Sequence, residues 1–196
     1  MKLYFASAAM IACLSTALPV QAAVTVIGKG PTVDCFQAAA KASRDALPLV
    51  DRGDALANCN AALADKILAK DRTATLVNRG LIETSAGQTD EAIADYDAAL
   101  ARDANMTEAY IGRGLTLLHT ERYEAARADF DHALALGTAN AHIVYFDRGV
   151  AQEKAGNITA AYHDYKQALA VAPDFKPASD ELSRFHVVDK RVAANR

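Results

Sequence analysis

Ala125-Ala126-Arg127-Ala128-Asp129-Phe130-Asp131-His132-Ala133-Leu134, preceded by Gly112-Arg113-Gly114, is the middle one of three copies of a single pattern. The first copy is Asn78-Arg79-Gly80 with Glu91-Ala92-Ile93-Ala94-Asp95-Tyr96-Asp97-Ala98-Ala99-Leu100. The third is Asp147-Arg148-Gly149 with Ala160-Ala161-Tyr162-His163-Asp164-Tyr165-Lys166-Gln167-Ala168-Leu169. The glycines Gly80, Gly114 and Gly149 recur at spacings of 34 and 35 residues, a period that belongs to stacked supersecondary units rather than to a single core. Within each copy the offsets from the glycine to the first alanine, the aromatic and the second alanine are identical: Ala92, Tyr96, Ala99; Ala126, Phe130, Ala133; Ala161, Tyr165, Ala168.

The alanine, aromatic and alanine stand at i, i+4 and i+7, one face of a helix. The glycine lies on an earlier helix, where it costs about 1 kcal/mol relative to Ala and is expected because a larger side chain would push the second helix away. Each unit therefore predicts two antiparallel helices, A and B, meeting at small residues, with the aromatic filling the space toward the next hairpin. Gly87 and Gly156 mark the A-to-B turn in the first and third units, and His119-Thr120-Glu121-Arg122 occupies that place in the middle one.

These residues resemble the tetratricopeptide repeat family, whose pattern of Gly, Ala, aromatic, Ala and a closing Pro is matched up to Pro173, with Ala104 and Thr138 in place of Pro in the first two units. The resemblance implies an all-α, right-handed superhelical array of antiparallel helix pairs, with units at 73–106, 107–140 and 142–175. Residues 35–70 read as a divergent unit in front of them: Asp54-Ala55-Leu56-Ala57-Asn58-Cys59-Asn60-Ala61-Ala62-Leu63 aligns with the B-helix pattern, Cys59 taking the aromatic slot. Its A helix is expected from about Phe36 to Ala46, after an extended lead-in at 23–34. Leu182, Phe185, Val188 and Val192 at helical spacing predict a capping helix over 176–193 that covers the last apolar face.

The first residues, a basic Lys2, an apolar run to Leu18 and Val20-Gln21-Ala22, read as a signal peptide over 1–22. Met10-Ile11-Ala12-Cys13 departs from a lipoprotein attachment box at Met10, so cleavage after Ala22 is the expectation rather than lipidation of Cys13. A periplasmic or secreted location follows, with no membrane insertion after cleavage. Cys35 and Cys59 then remain, and an even pair in an oxidising compartment points to one disulfide, the alternative being two buried thiols. Because A and B run antiparallel, the start of A lies beside the later part of B, where these two cysteines can meet.

The formal net charge is −3, and without Lys2 it is −4, with both signs interspersed. No basic block offers a nucleic-acid or anionic-membrane surface. The five histidines are scattered, and neither a metal-ligand spacing, a nucleophile motif nor a phosphate loop is present in the sequence. The reading is a non-enzyme without cofactor or metal. Arg79, Arg113 and Arg148 are expected to pair with Asp95, Asp129 and Asp164 of their own hairpins, since the divergent unit loses both partners together at Ala42 and Asn58; the alternative is an arginine row that reads an anionic ligand, which carboxylates at matching positions would neutralise.

What the resemblance implies for function is a concave face built from A-helix positions around each glycine. Here these include Val77, Leu81, Ile111, Leu115, Leu118, His119, Phe146, Val150 and Lys154. The lysine and asparagine clamp by which some relatives hold a C-terminal carboxylate is replaced, Val77, Ile111 and Phe146 standing in the lysine-type slots and Leu81, Leu115 and Val150 in the asparagine-type ones. The expectation is an apolar groove for a partner polypeptide, in an adaptor or scaffold or, alternatively, a chaperone-like holder of exported unfolded chains. The competing expectation is that these residues are core, or that the C-terminal helix fills the groove.

Overall fold

The computed structural model describes residues 2–5, 30–42, 49–65 and 69–188. The helices are α1 (Pro31–Ala42), α2 (Leu49–Ala64), α3 (Ala69–Ala86), α4 (Thr89–Arg102), α5 (Thr107–His119), α6 (Tyr123–Leu136), α7 (Ala141–Lys154), α8 (Ile158–Val171) and α9 (Lys176–Ser183). Two short strands, β1 (Lys2–Phe5) and β2 (Phe185–Val188), pair antiparallel with Phe5 opposite Phe185. Each hairpin packs mainly on its neighbours in sequence, as a linear array requires. Most of the leader, Cys13 and the segment from 23 to 29 lie outside the described residues, as do 189–196 with Val192.

Small residues set the spacing of the pairs. Ala92, Ala99, Ala126, Ala133, Ala161 and Ala168 have no exposed surface, and neither have Tyr96 and Phe130, while Tyr165 retains 1%. A Cβ at Gly80 would lie 2.9 Å from the Tyr96 ring, one at Gly114 2.8 Å from Phe130 and one at Gly149 2.7 Å from Tyr165. Carbon atoms do not approach that closely, so any larger residue at these positions forces the ring or the helix to shift.

The three A helices end alike. Gln88 N–H donates to the Glu83 carbonyl and Gly87 N–H to Thr84; Arg122 and Glu121 do the same to Leu117 and Leu118, and Asn157 and Gly156 to Gln152 and Glu153. This double closure requires a left-handed residue just beyond the helix. Gly87 and Gly156 supply it at φ +75° and +85°, and in the middle unit Glu121 adopts φ +60° despite its Cβ.

Cys35 on α1 and Cys59 on α2 form a disulfide, their Cα atoms 4.7 Å apart. Both are fully buried and form a cluster with Ala39, Ala55 and Ile82. The lead-in expected to Asp34 is shorter than that: α1 already begins at Pro31, because proline at the first helical position surrenders an amide that would have no partner there anyway.

The C-terminal cap also differs from expectation. The helix starts at Lys176 and stops at Ser183 instead of continuing to 193, and Phe185-His186-Val187-Val188 turns into strand. Two adjacent β-branched residues after an aromatic favour extended backbone, and the pairing with β1 satisfies their amides. Leu182 and Phe185 still cover the last hairpin: Phe185 is buried, its ring 5.7 Å from Tyr162 and 5.9 Å from Tyr165.

Candidate functional site: the A-helix face of the array

The arginine before each glycine builds a ladder across the hairpins. Nε and Nη2 of Arg79 donate to the two carboxylate oxygens of Asp95 at 2.6 Å each. Arg113 grips Asp129 at 2.8 and 2.7 Å, and Arg148 grips Asp164 at 2.9 and 2.6 Å. The three aspartates are buried, so each fork satisfies a carboxylate that has left water. Hydrogen bonding to its aspartate raises the pKa of each arginine further, against the opposing effect of burial.

The sequence did not disclose the third arm. Nη1 of each arginine reaches the preceding unit: Arg79 donates to Asn60 Oδ1 at 2.6 Å, Arg113 to Asp97, and Arg148 to Asp131 Oδ1 at 2.6 Å. One guanidinium therefore ties its own hairpin and fastens it to the one before. The signal was present in the residue after the aromatic slot, which is Asn60, Asp97 and Asp131 in the units that precede an Arg-Gly pair and Lys166 in the last unit, after which no Arg-Gly pair follows.

A second pattern sets the chemistry of the A-helix face. Thr84 Oγ1 lies 3.2 Å from the Tyr96 hydroxyl and 2.7 Å from Thr116 Oγ1. Tyr165 donates its hydroxyl to Glu153 Oε2 at 2.9 Å. The middle unit has Phe130, which needs no partner, and Leu118 at the matching position. Thr84 and Glu153 are thus committed to holding buried phenols, and Arg184, arriving from beyond α9, donates to Glu153 Oε1 at 3.1 Å and closes that end of the face.

Of the expected groove residues, three belong to the core. Val77, Ile111 and Phe146 are 0%, 3% and 3% exposed. Val77 packs with Ala92 and Tyr96, Ile111 with Ala126 and Phe130, and Phe146 lies 5.5 Å from the Tyr165 ring and edge-on to Phe175 at 5.6 Å. They stand one turn before the glycine, on the flank that the closely approaching B helix covers. Leu81, Leu115, Leu118 and Val150 are half-buried on successive A helices, and His119 and Lys154 are exposed beside them. The His119 side chain reaches solvent, yet partial burial of its imidazole lowers its pKa.

Among the described residues, no group of three or more His, Cys, Asp or Glu side chains comes together as a metal site, and no helix is long and apolar enough to cross a membrane. The model of the tetratricopeptide repeat matches residues 73–106, 107–136 and 143–175, which are the three hairpins with the glycine, aromatic and arginine just described. This chain belongs to the tetratricopeptide repeat family.

The tetratricopeptide array is similar over 144 residues, at 26% identity, to the probable UDP-N-acetylglucosamine--peptide N-acetylglucosaminyltransferase SPINDLY of Arabidopsis thaliana; the match covers 71% of this chain and 16% of that protein. The Petunia hybrida protein of the same name matches 47% of the chain at 29% identity, again over only 10% of its own length. Among solved structures, the second tetratricopeptide domain of human RPAP3, in complex with the HSP70 peptide SGPTIEEVD, aligns with a TM-score of 0.56 at 25% identity, covering 59% of this chain and 96% of that one. MamA from Desulfovibrio magneticus RS-1 aligns with a TM-score of 0.62 at 16% identity over 80% of this chain and 84% of that one.

Proposed function

We propose that this tetratricopeptide array is a non-enzymatic protein-interaction module of the cell envelope or its exterior, an adaptor that takes a segment of a partner polypeptide along its A-helix face. The observation that carries the proposal is the row Leu81, Leu115, Leu118 and Val150, apolar and still reachable on three successive A helices. Apolar side chains at that spacing suit the apolar stripe of an amphipathic helix or the alternate side chains of an extended peptide. The RPAP3 domain that aligns here holds a peptide, which supports the mode of binding. Its peptide ends in acidic residues, whereas this face carries leucine and valine, so the partner contact is read as apolar. The leader-like first residues and the Cys35–Cys59 disulfide support an oxidising location.

Site-specific photo-crosslinking from Leu115 in the native host, with the buried Ala133 as control, tests the reading. One discrete adduct dependent on Leu115 supports a dedicated adaptor. A smear of many adducts would replace it with a holder of unfolded chains, and self-links alone would move the binding surface to another face.

A further inference from the structure

Three residues after each glycine, the A helices carry Glu83, Leu117 and Gln152, and each position faces the buried aspartate of its hairpin or the apolar core. In the third unit Gln152 Nε2 donates to Asp164 Oδ2 at 2.6 Å, adding a third donor to the fork from Arg148. In the first unit Glu83 stands in the same place beside Asp95, 8% exposed, with Oε2 buried and without a hydrogen-bond partner, and Oε1 3.8 Å from Arg79 Nε. Arg79 is already engaged, by Asp95 through Nε and Nη2 and by Asn60 through Nη1. An ionised Glu83 would put a second buried carboxylate next to Asp95 with one shared counter-charge, whereas a neutral Glu83 carries an O–H donor where Gln152 has its amide.

We propose that Glu83 binds a proton as part of the folded first repeat, donating it toward Asp95 as Gln152 donates its amide to Asp164, and that loss of this proton loosens the α3–α4 hairpin. Burial is the largest influence raising the Glu83 pKa, followed by the charge of Asp95; Arg79 opposes them, and Glu91 adds a smaller raising effect. Arg79 comes from its own helix and Asp95 and Glu91 from α4, while α2 contributes the neutral Asn60 through Arg79. Because the folded state holds this proton more tightly than the unfolded chain, stability is level below the ordinary carboxylate range and falls as pH rises toward neutrality.

The test is a pair of measurements on the full chain in the Asp147→Asn background, which removes another buried acid of the same sign. Carbon-detected NMR of the Glu83 carboxyl should show a midpoint near neutral pH. Urea unfolding at pH 5 and pH 8 should show the unfolding constant rising by at least tenfold, a change that Glu83→Gln abolishes by supplying a permanent donor. A Glu83 midpoint in the ordinary carboxylate range would overturn the proposal, and so would a Gln variant with an unchanged pH slope. The NMR titration decides alone if the variant does not fold.

Discussion

Gly112→Ala tests how the repeats are fastened together. Gly112 lies on α5, and a Cβ there would sit 2.5 Å from Cε1, 2.6 Å from Cζ and 2.8 Å from the hydroxyl of Tyr96, a residue of the preceding hairpin. The ring has little room to retreat, because it is fully buried and also lies against Gly80, where a built Cβ would be 2.9 Å from it. Normal carbon contacts lie near 3.5–4.0 Å, so α5 must move by about 1 Å, and overpacking of that kind costs about 1–3 kcal/mol. Ala in a helix interior returns about 1 kcal/mol of propensity. The net expectation is a loss of up to about 2 kcal/mol, or about 2–4 °C in Tm for each kcal/mol lost in a chain of this size. Gly53 is the control, a glycine inside α2 with nothing within 4 Å of its would-be Cβ. Gly53→Ala should stabilise by up to about 1 kcal/mol. Thermal and urea unfolding followed by circular dichroism measures both, and equal effects at the two glycines would refute the claim that Tyr96 is clamped between units.

Arg113→Ala should cost about 2–4 kcal/mol in urea unfolding, since it strands the buried Asp129 and removes the link to Asp97. Arg127→Ala, which breaks an exposed pair with Asp131, should stay within about 0.5 kcal/mol. Glu121→Gly should raise stability by about 0.5–1 kcal/mol by relieving a left-handed backbone at φ +60°; a decrease would mean that the side chain holds the turn. Burial pushes the Asp147 carboxyl up to about 7, so the folded chain binds a proton there that the unfolded chain releases, and stability falls as pH rises from about 4 to 7. Asp147→Asn should therefore stabilise most above pH 7, with the gain fading toward pH 4; a gain independent of pH would exclude this cause.

The hairpins and their small-residue contacts were legible because they depend on spacings within a helix, and the period repeats them three times. The pairing of Cys35 with Cys59 and the arginine–aspartate forks were legible for a related reason: partners in one antiparallel hairpin stand at a constant separation along the chain, 16 residues in each fork. The expected cap was only half right, since periodicity alone does not distinguish a continuing helix from a strand at Phe185-His186-Val187-Val188. The candidate groove was overdrawn by Val77, Ile111 and Phe146, whose side chains point toward a neighbour that local spacing does not locate.

Sequence by itself determined the repeat, the order of small and aromatic residues, and the partners inside each hairpin, because a helix fixes which side chains share a face. Tertiary structure decided what happens between hairpins: the approach of Gly80 and Gly112 to Tyr96, the third arm of each arginine, the burial of Glu83 beside Asp95, and which apolar A-helix residues are buried and which stay half-buried. Those depend on how closely and at what angle one unit rests on the next, and a separation of a few tenths of an ångström decides whether a methyl group, a water or nothing at all can lie between them.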